Sequence, residues 1–132
     1  MNISRIAVSL CLLLATATTA LAASPAAPLS TAELKQTVGK GKPTIVFFQN
    51  PNGGPCQMQK QVLESLMKER KANFSIAAVS TLRQEDQKAF YDYGVRSLPS
   101  LVLVDKAGKI ARVFPPGIQN KEALAAALDG LK

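Results

Sequence analysis

The side chain best suited to chemistry in this sequence is the thiol of Cys56, which follows Asn52, Gly53, Gly54 and Pro55. Pro55 suits the first turn of a helix, because its missing N–H costs nothing there. We therefore predict that Cys56 lies at a helix N-terminus, where free N–H groups and the helix dipole favour a thiolate.

The single thiol restricts the chemistry that the chain can perform. The sequence has no histidine, which excludes hydrolysis by a Cys/His pair, and one cysteine supplies too few ligands for a metal ion. No metal and no cofactor are therefore expected. The other cysteine, Cys11, lies in the apolar leader. Without it no internal disulfide can form, and Cys56 is either buried and inert or a free thiol that pairs with another molecule.

The sequence leaves two interpretations of Cys56 open. Cysteine is among the most frequently buried residue types, so Cys56 can be a small core residue. Alternatively it is an accessible thiol, because Gly53 has no side chain to cover it. Gly53 and Gly54 also fit an anion-binding nest, although a tight turn that needs positive φ is the simpler interpretation.

Residues 1–22 have the pattern of a secretory signal peptide. Arg5 is the only charge in this stretch, an apolar run from 6 to 14 follows it, and Ala20-Leu21-Ala22 fits an Ala-x-Ala cleavage site. An uncleaved membrane anchor is the alternative, but threonines interrupt the run. We predict cleavage after Ala22, a periplasmic or otherwise exported protein without a stable membrane anchor, and one domain over residues 23–132.

The predicted mature chain is basic, but its positive charges do not cluster in one part of the sequence. Without Arg5 it has 15 basic and 9 acidic residues and a net charge of +6. Lys and Arg are spread over the predicted helices and loops, and tryptophan is absent, so nucleic-acid binding is not expected. We attribute the charge to solvation and to attraction towards an anionic envelope surface. Glu85, Asp86 and Asp92 are assigned to a solvated helix face.

Helical and strand patterns alternate along the rest of the chain, as in an α/β domain. The run 44–48 is apolar, β-branched and aromatic, which is typical of a strand buried on both faces. A helix joins the first two strands, which predicts a parallel pair, whereas the last two form an antiparallel hairpin. The predicted elements are a helix capped by Ser30 or Thr31, a strand 44–48, a helix from 55 or 56 to about 72, a strand 74–79, a helix 84–93, strands 101–104 and 110–114, and a helix 121–131 capped by Asn120.

The long helix after Cys56 is predicted to bury one apolar side. The residues assigned to that side by their helical spacing are Met58, Val62, Leu63, Leu66 and Met67.

The segment 47–58, FFQNPNGGPCQM, resembles the active-site segment of the thioredoxin family, in which a buried strand leads through W-C-G-P-C into a helix. Gly54-Pro55-Cys56 falls on G-P-C without a gap. Gly53 falls on the first cysteine of the family, and Asn52 falls on its tryptophan.

The segment 93–100, YGVRSLPS, resembles a second signature of that family, Y-G-[IV]-R-x-[IVL]-P-[ST], which carries a cis-proline facing the active site. Pro99 takes that position, and the resemblance implies that the backbone of Leu98 pairs with an extended peptide beside Cys56. The resemblance covers nearly the whole predicted mature chain. It implies a thioredoxin-like fold, with a central mixed sheet flanked by helices.

Family chemistry requires two thiols, one that attacks a substrate disulfide and one that resolves the mixed disulfide. Here Gly53 replaces the attacking cysteine, and Cys56 matches the resolving cysteine, which is usually shielded. The acidic residue that often assists proton transfer behind the pair falls on Phe47. The resemblance thus supports the fold better than the dithiol reaction.

These features predict an exported protein that acts in cell-envelope thiol-disulfide chemistry through Cys56, with weak or no dithiol reductase activity. It would be at most a monothiol oxidoreductase, and its partners would be thiols or disulfides of envelope proteins or peptides. The alternative is a non-catalytic module that binds a peptide in the groove around Leu98, Pro99 and the loop from Asn52 to Cys56. A homodimer linked through Cys56 is a third interpretation.

Overall fold

A computed structural model of the chain describes residues 24–131. The predicted signal peptide, residues 1–22, and Cys11 lie outside that range. The helices are α1 (Ala32–Thr37), α2 (Gly54–Glu69), α3 (Gln87–Asp92) and α4 (Lys121–Asp129), the strands are β1 (Thr44–Gln49), β2 (Ser75–Ser80), β3 (Ser100–Val104) and β4 (Ile110–Val113), and a 3₁₀ turn, Gln84–Asp86, precedes α3.

The four strands form one mixed sheet in the order β2-β1-β3-β4. Strand β1 is parallel to β2 and antiparallel to β3, and β3 is antiparallel to β4. At one end of the sheet Thr44 pairs with both Ser75 and Val104, and at the other end Phe48 pairs with Ser100. The predicted α/β fold, with a central mixed sheet flanked by helices, is confirmed.

Strand β1 divides the core into two clusters, because successive side chains of a strand point to opposite faces. Ile45 and Phe47 pack with Cys56 and the apolar residues of α2 and α4. Phe48 packs on the other face with residues of α1 and α3, and its ring centroid lies 5.3 Å from that of Phe90. A strand buried on both faces was predicted from the same apolar run.

Two predicted helix caps determine where α1 and α4 begin. The hydroxyl of Thr31 accepts a hydrogen bond from the Leu34 N–H (3.1 Å), and the side chain of Asn120 accepts one from the Ala123 N–H (2.8 Å). Each bond satisfies an N–H that has no partner within its helix. No helix in residues 24–131 is long and apolar enough to cross a membrane.

The assignment of Met58 to the core was wrong. Its side chain is 57% exposed, whereas the buried stripe of α2 runs through Cys56, Gln59, Leu63 and Leu66. Their spacing of three and four residues follows the helical period, and the stripe keeps the predicted Leu63 and Leu66 but begins with Cys56 and Gln59 instead of Met58. Gln59 therefore occupies the core position that was assigned to its apolar neighbour.

The assignment of Asp86 to a solvated face was also wrong, since its side chain is buried. Its carboxylate accepts hydrogen bonds from the Ser80 N–H (2.8 Å) and from Arg83 Nε (2.8 Å), which pays for its burial. Asp86 ends the 3₁₀ turn Gln84–Asp86. The predicted single helix 84–93 therefore begins as a 3₁₀ turn and becomes α-helical only from Gln87. Asp92 is held by Lys88 and Ser30, which lower the pKa of its carboxyl group below the usual value.

Candidate functional site

The loop after β1 leads the chain directly into α2. The Gly53 N–H donates to the Asn50 carbonyl (2.9 Å), and the Asn52 N–H donates to the Asn50 side chain (3.1 Å). Pro55 occupies the first turn of α2, as predicted. The loop is thus a hydrogen-bonded turn that places Cys56 at the start of the helix.

The interpretation of Gly53 and Gly54 as a turn that needs positive φ was wrong. Gly53 has φ −82° and ψ 132°, an extended conformation that any residue adopts, and Gly54 belongs to the right-handed helix. The αR-αL form of an anion-binding nest is also excluded, because neither glycine is left-handed. Glycine is therefore not required by the backbone at either position.

Cys56 is buried at the N-terminus of α2, with 3% of its surface exposed. Its sulfur accepts a hydrogen bond from the Asn50 N–H (3.4 Å), a contact that the sequence did not indicate. Phe47 belongs to the same apolar cluster and is 2% exposed. Of the two interpretations left open by the sequence, the structure favours a shielded thiol, which is hydrogen-bonded to the loop after β1.

An apolar side chain, Phe47, occupies the acidic position of the family resemblance in this chain. Phe47 pairs with Ala78 across β1 and β2, and both residues line a cavity of about 130 Å³. Its other lining residues are Gln49, Lys60, Leu63, Glu64 and Ile76. Neither Phe47 nor Ala78 can accept or donate a proton. Proton transfer from a carboxylate at this position is thus absent.

Pro99 lies at the same end of the sheet as Cys56. The Leu98–Pro99 peptide bond is cis, and β3 begins at Ser100, opposite Phe48. The carbonyl of Pro99 accepts a hydrogen bond from the Gly117 N–H (3.0 Å). The N–H and carbonyl of Leu98 make no hydrogen bond within residues 24–131, which leaves both groups available to an extended peptide.

Gln59 is a site residue that sequence reasoning missed. It is 0% exposed, and its side-chain amide donates to the Gln119 carbonyl (3.1 Å) and accepts from the Gln119 N–H (2.6 Å). The pair ties α2 to the loop that carries Gly117 and therefore to Pro99. A polar residue at helical spacing between Cys56 and Leu63 was the available signal.

An apolar groove adjoins this end of α2. Met58 and Ile118, which are both exposed, line it together with Val62 and the stem of Lys121, and its volume is about 350 Å³. Met58 lies two residues after Cys56, and Ile118 directly follows Gly117. The sites predicted from the two sequence motifs thus border a surface that an apolar side chain of another molecule can cover.

Comparisons with known proteins place this arrangement in a family. Residues 31–132 match a family model described as a thioredoxin-like domain. Thioredoxin 1 of Synechococcus elongatus is 30% identical over 107 residues, which cover 80% of this chain and 96% of that protein.

Solved structures show the same fold. Fasciola hepatica thioredoxin has a TM-score of 0.61 at 25% identity and covers 79% of this chain and 97% of its own. A thioredoxin-like protein from Clostridium perfringens has a TM-score of 0.64 at 24% identity, covering 73% and 82%. An exposed lipoprotein thioredoxin from Streptococcus pneumoniae has a TM-score of 0.60 at 21% identity, covering 70% and 87%. This fold supports redox or thiol-disulfide function in general. The chain belongs to the thioredoxin-like family.

Proposed function

We propose that this protein is exported and takes part in thiol-disulfide chemistry of the cell envelope through one cysteine, Cys56, with weak or no dithiol reductase activity. The signal-peptide pattern of residues 1–22 supports export. The lipoprotein thioredoxin of Streptococcus pneumoniae, described as exposed, gives a precedent for this fold outside the cell.

The position of Gly53 carries the proposal. A Cβ atom added to Gly53 would lie 3.8 Å from the sulfur of Cys56. The family resemblance places the attacking cysteine at this position. Because the residue here is glycine, only a hydrogen atom stands where a side chain would cover the thiol. The CH₂–S group of an external thiol or disulfide fits where that cysteine would be.

The reaction that this geometry supports is a thiol-disulfide exchange. The Cys56 thiolate attacks a disulfide R–S–S–R′, forms a mixed disulfide with R–S, and releases R′–S⁻. A second external thiol then attacks the mixed disulfide and restores the Cys56 thiol, releasing R–S–S–R″. No second cysteine of the described chain can perform that last step, so turnover depends on the outside thiol.

Reagent size tests this proposal. We expect a small methanethiosulfonate to label Cys56 in the folded mature protein, whereas a bulky maleimide labels it only in denaturant. Gly53→Ala should slow the small reagent at least tenfold, because the added methyl group lies against the sulfur. Gly54→Ala is the matched control, since a Cβ there meets nothing within 4 Å. Labelling of the wild type only on unfolding would refute the exchange reaction.

The burial of Cys56 favours a second candidate, a non-catalytic module that binds an extended peptide. The free N–H and carbonyl of Leu98 and the exposed Met58 and Ile118 would make its contacts. This function tolerates Cys56→Ser, whereas exchange requires the thiol. Capture of envelope proteins should therefore be lost in Cys56→Ser under the first proposal and kept under the second. A non-reducing gel of the same samples tests the Cys56-linked homodimer.

A further inference from the structure

The end of the sheet opposite Cys56 brings three loops together. Thr44 pairs with Ser75 and with Val104, so the loops before β1, before β2 and after β3 meet there. The Lys42 ammonium donates to the Ala72 carbonyl (3.0 Å), which joins the first two loops. A Cβ added to Gly39 would lie 3.8 Å from Gly108, which joins the first and third. We call this end, with the last turn of α2 and the end of α4, the basic pole.

Positive charge is concentrated at the basic pole. It carries seven of the fourteen basic side chains of residues 24–131 but only three acidic ones, a net charge of +4, whereas the rest of that range has +1. The basic residues are Lys40, Lys42, Lys68, Arg70, Lys71, Lys106 and Lys109, and the acidic ones are Glu69, Asp105 and Asp129.

The acidic side chains of the basic pole are already engaged. Glu69 pairs with Lys121, and Asp129 pairs with Arg70. Asp105 accepts hydrogen bonds from two backbone N–H groups of its own turn. The six lysines are exposed, and none has a carboxylate within 4 Å in the part of the chain that the structure describes.

We infer that the basic pole docks the protein electrostatically on a membrane surface of anionic phospholipids. The six lysines form an array of point charges, which suits mobile headgroups better than the bidentate recognition of one fixed phosphate. Phe74, the aromatic residue of this end, is 1% exposed, so the stacking surface typical of single-stranded nucleic-acid binding is missing. The large exposed hydrophobic residues of the described chain lie elsewhere, which predicts adsorption without insertion.

Docking through the basic pole orients the functional site. Strand β1 has six residues and separates the two ends by on the order of 16 Å. Cys56, Leu98 and the groove beside Met58 would then face away from the lipid and remain open to a partner. The inference does not depend on the reactivity of Cys56, so Cys56→Ser should bind membranes like the wild type.

Co-sedimentation with vesicles tests the inference. The mature protein should bind phosphatidylglycerol-containing vesicles at low salt, and neither pure phosphatidylcholine nor high salt should retain it. Lys40→Gln, Lys68→Gln and Lys106→Gln combined should weaken binding on the order of 100-fold, since each surface lysine contributes about fivefold.

A second triple variant with the same net charge is the control. Lys60→Gln, Lys88→Gln and Arg96→Gln lie away from the basic pole and should keep binding within about fivefold of wild type. Equal loss in both triple variants would overturn the inference, because net charge alone would then explain binding. It would also be overturned if the wild type ignored anionic vesicles, or if it bound duplex DNA through the basic pole and vesicles not at all.

Discussion

The side-chain amide of Gln59 makes both of its hydrogen bonds to the backbone of Gln119, sixty residues further along the chain. Gln59 is fully buried in α2, one turn after Cys56. Gln119 lies in the loop whose Gly117 N–H binds the Pro99 carbonyl. The amide thus couples the helix that carries the thiol to the segment that faces the cis-proline.

Removing this amide should destabilise the protein. Gln59→Leu keeps a similar volume but leaves the Gln119 N–H and carbonyl without their partner. Unsatisfied polar groups cost about 1–3 kcal/mol, so we expect urea unfolding to show a loss of that size. Gln61→Leu, at an exposed position of the same helix, should change stability by less than about 0.5 kcal/mol. Equal stability of the two variants would contradict the coupling.

Gly53→Cys should create a redox-active pair with Cys56. The backbone at Gly53 is extended and accepts a side chain, and the new Cβ would lie 3.8 Å from the existing sulfur. It would also lie 3.3 Å from the Asn50 carbonyl, so the loop must shift by a few tenths of an ångström. We expect an oxidant to remove both thiols from a thiol titration, and the reduced variant to gain activity in insulin reduction.

Gly54→Cys is the matched control for this change. A Cβ at Gly54 has no atom within 4 Å and therefore does not approach Cys56, so both thiols should stay free after oxidation. The prediction for Gly53→Cys fails if the folded variant retains two titratable thiols under the same oxidant.

The sequence predicted the fold well because its strongest signals are local. The apolar run 44–48 and the caps Thr31 and Asn120 act through residues a few positions away, and the structure has them as expected. The burial of Gln59 was missed because it depends on Gln119, a partner that only the tertiary structure brings close. The burial of Asp86 was missed because it depends on a short turn whose 3₁₀ form the sequence pattern did not show. The exposed Met58 is the counterpart of the buried Gln59, since periodicity alone does not distinguish adjacent positions at the edge of a stripe.

The turn between α2 and β2 contains a conformational cost that glycine should relieve. Lys71 and Ala72 have φ values of 52° and 56°, and the left-handed region costs an L-residue about 1–2 kcal/mol. Ala72 is exposed, so Ala72→Gly loses no packing and should stabilise the protein by about 0.5–1 kcal/mol after the greater entropy of the unfolded glycine is included.

Ala126→Gly is the matched control, because the same substitution should lower the free energy of unfolding there instead of raising it. Ala126 is exposed within the right-handed helix α4, where glycine costs about 1 kcal/mol relative to alanine. Urea unfolding of both variants checks the pair. A loss of stability in Ala72→Gly as large as that in Ala126→Gly would contradict the strained turn.

Tyr93 should make stability depend on alkaline pH. Burial, with a further contribution from the charge of Asp92, raises its pKa from 10.0 to about 12, and its hydroxyl donates to the Pro28 carbonyl (2.9 Å). The folded state therefore holds the phenol proton more tightly than the unfolded state, so this stabilisation is complete below pH 10 and is lost as the pH rises towards 12. Absorbance titration of the tyrosinates should show a late phase near pH 12, which Tyr93→Phe removes and which Tyr91→Phe, at an exposed position, retains. A late phase that survives in Tyr93→Phe would show that Tyr93 is not the group responsible.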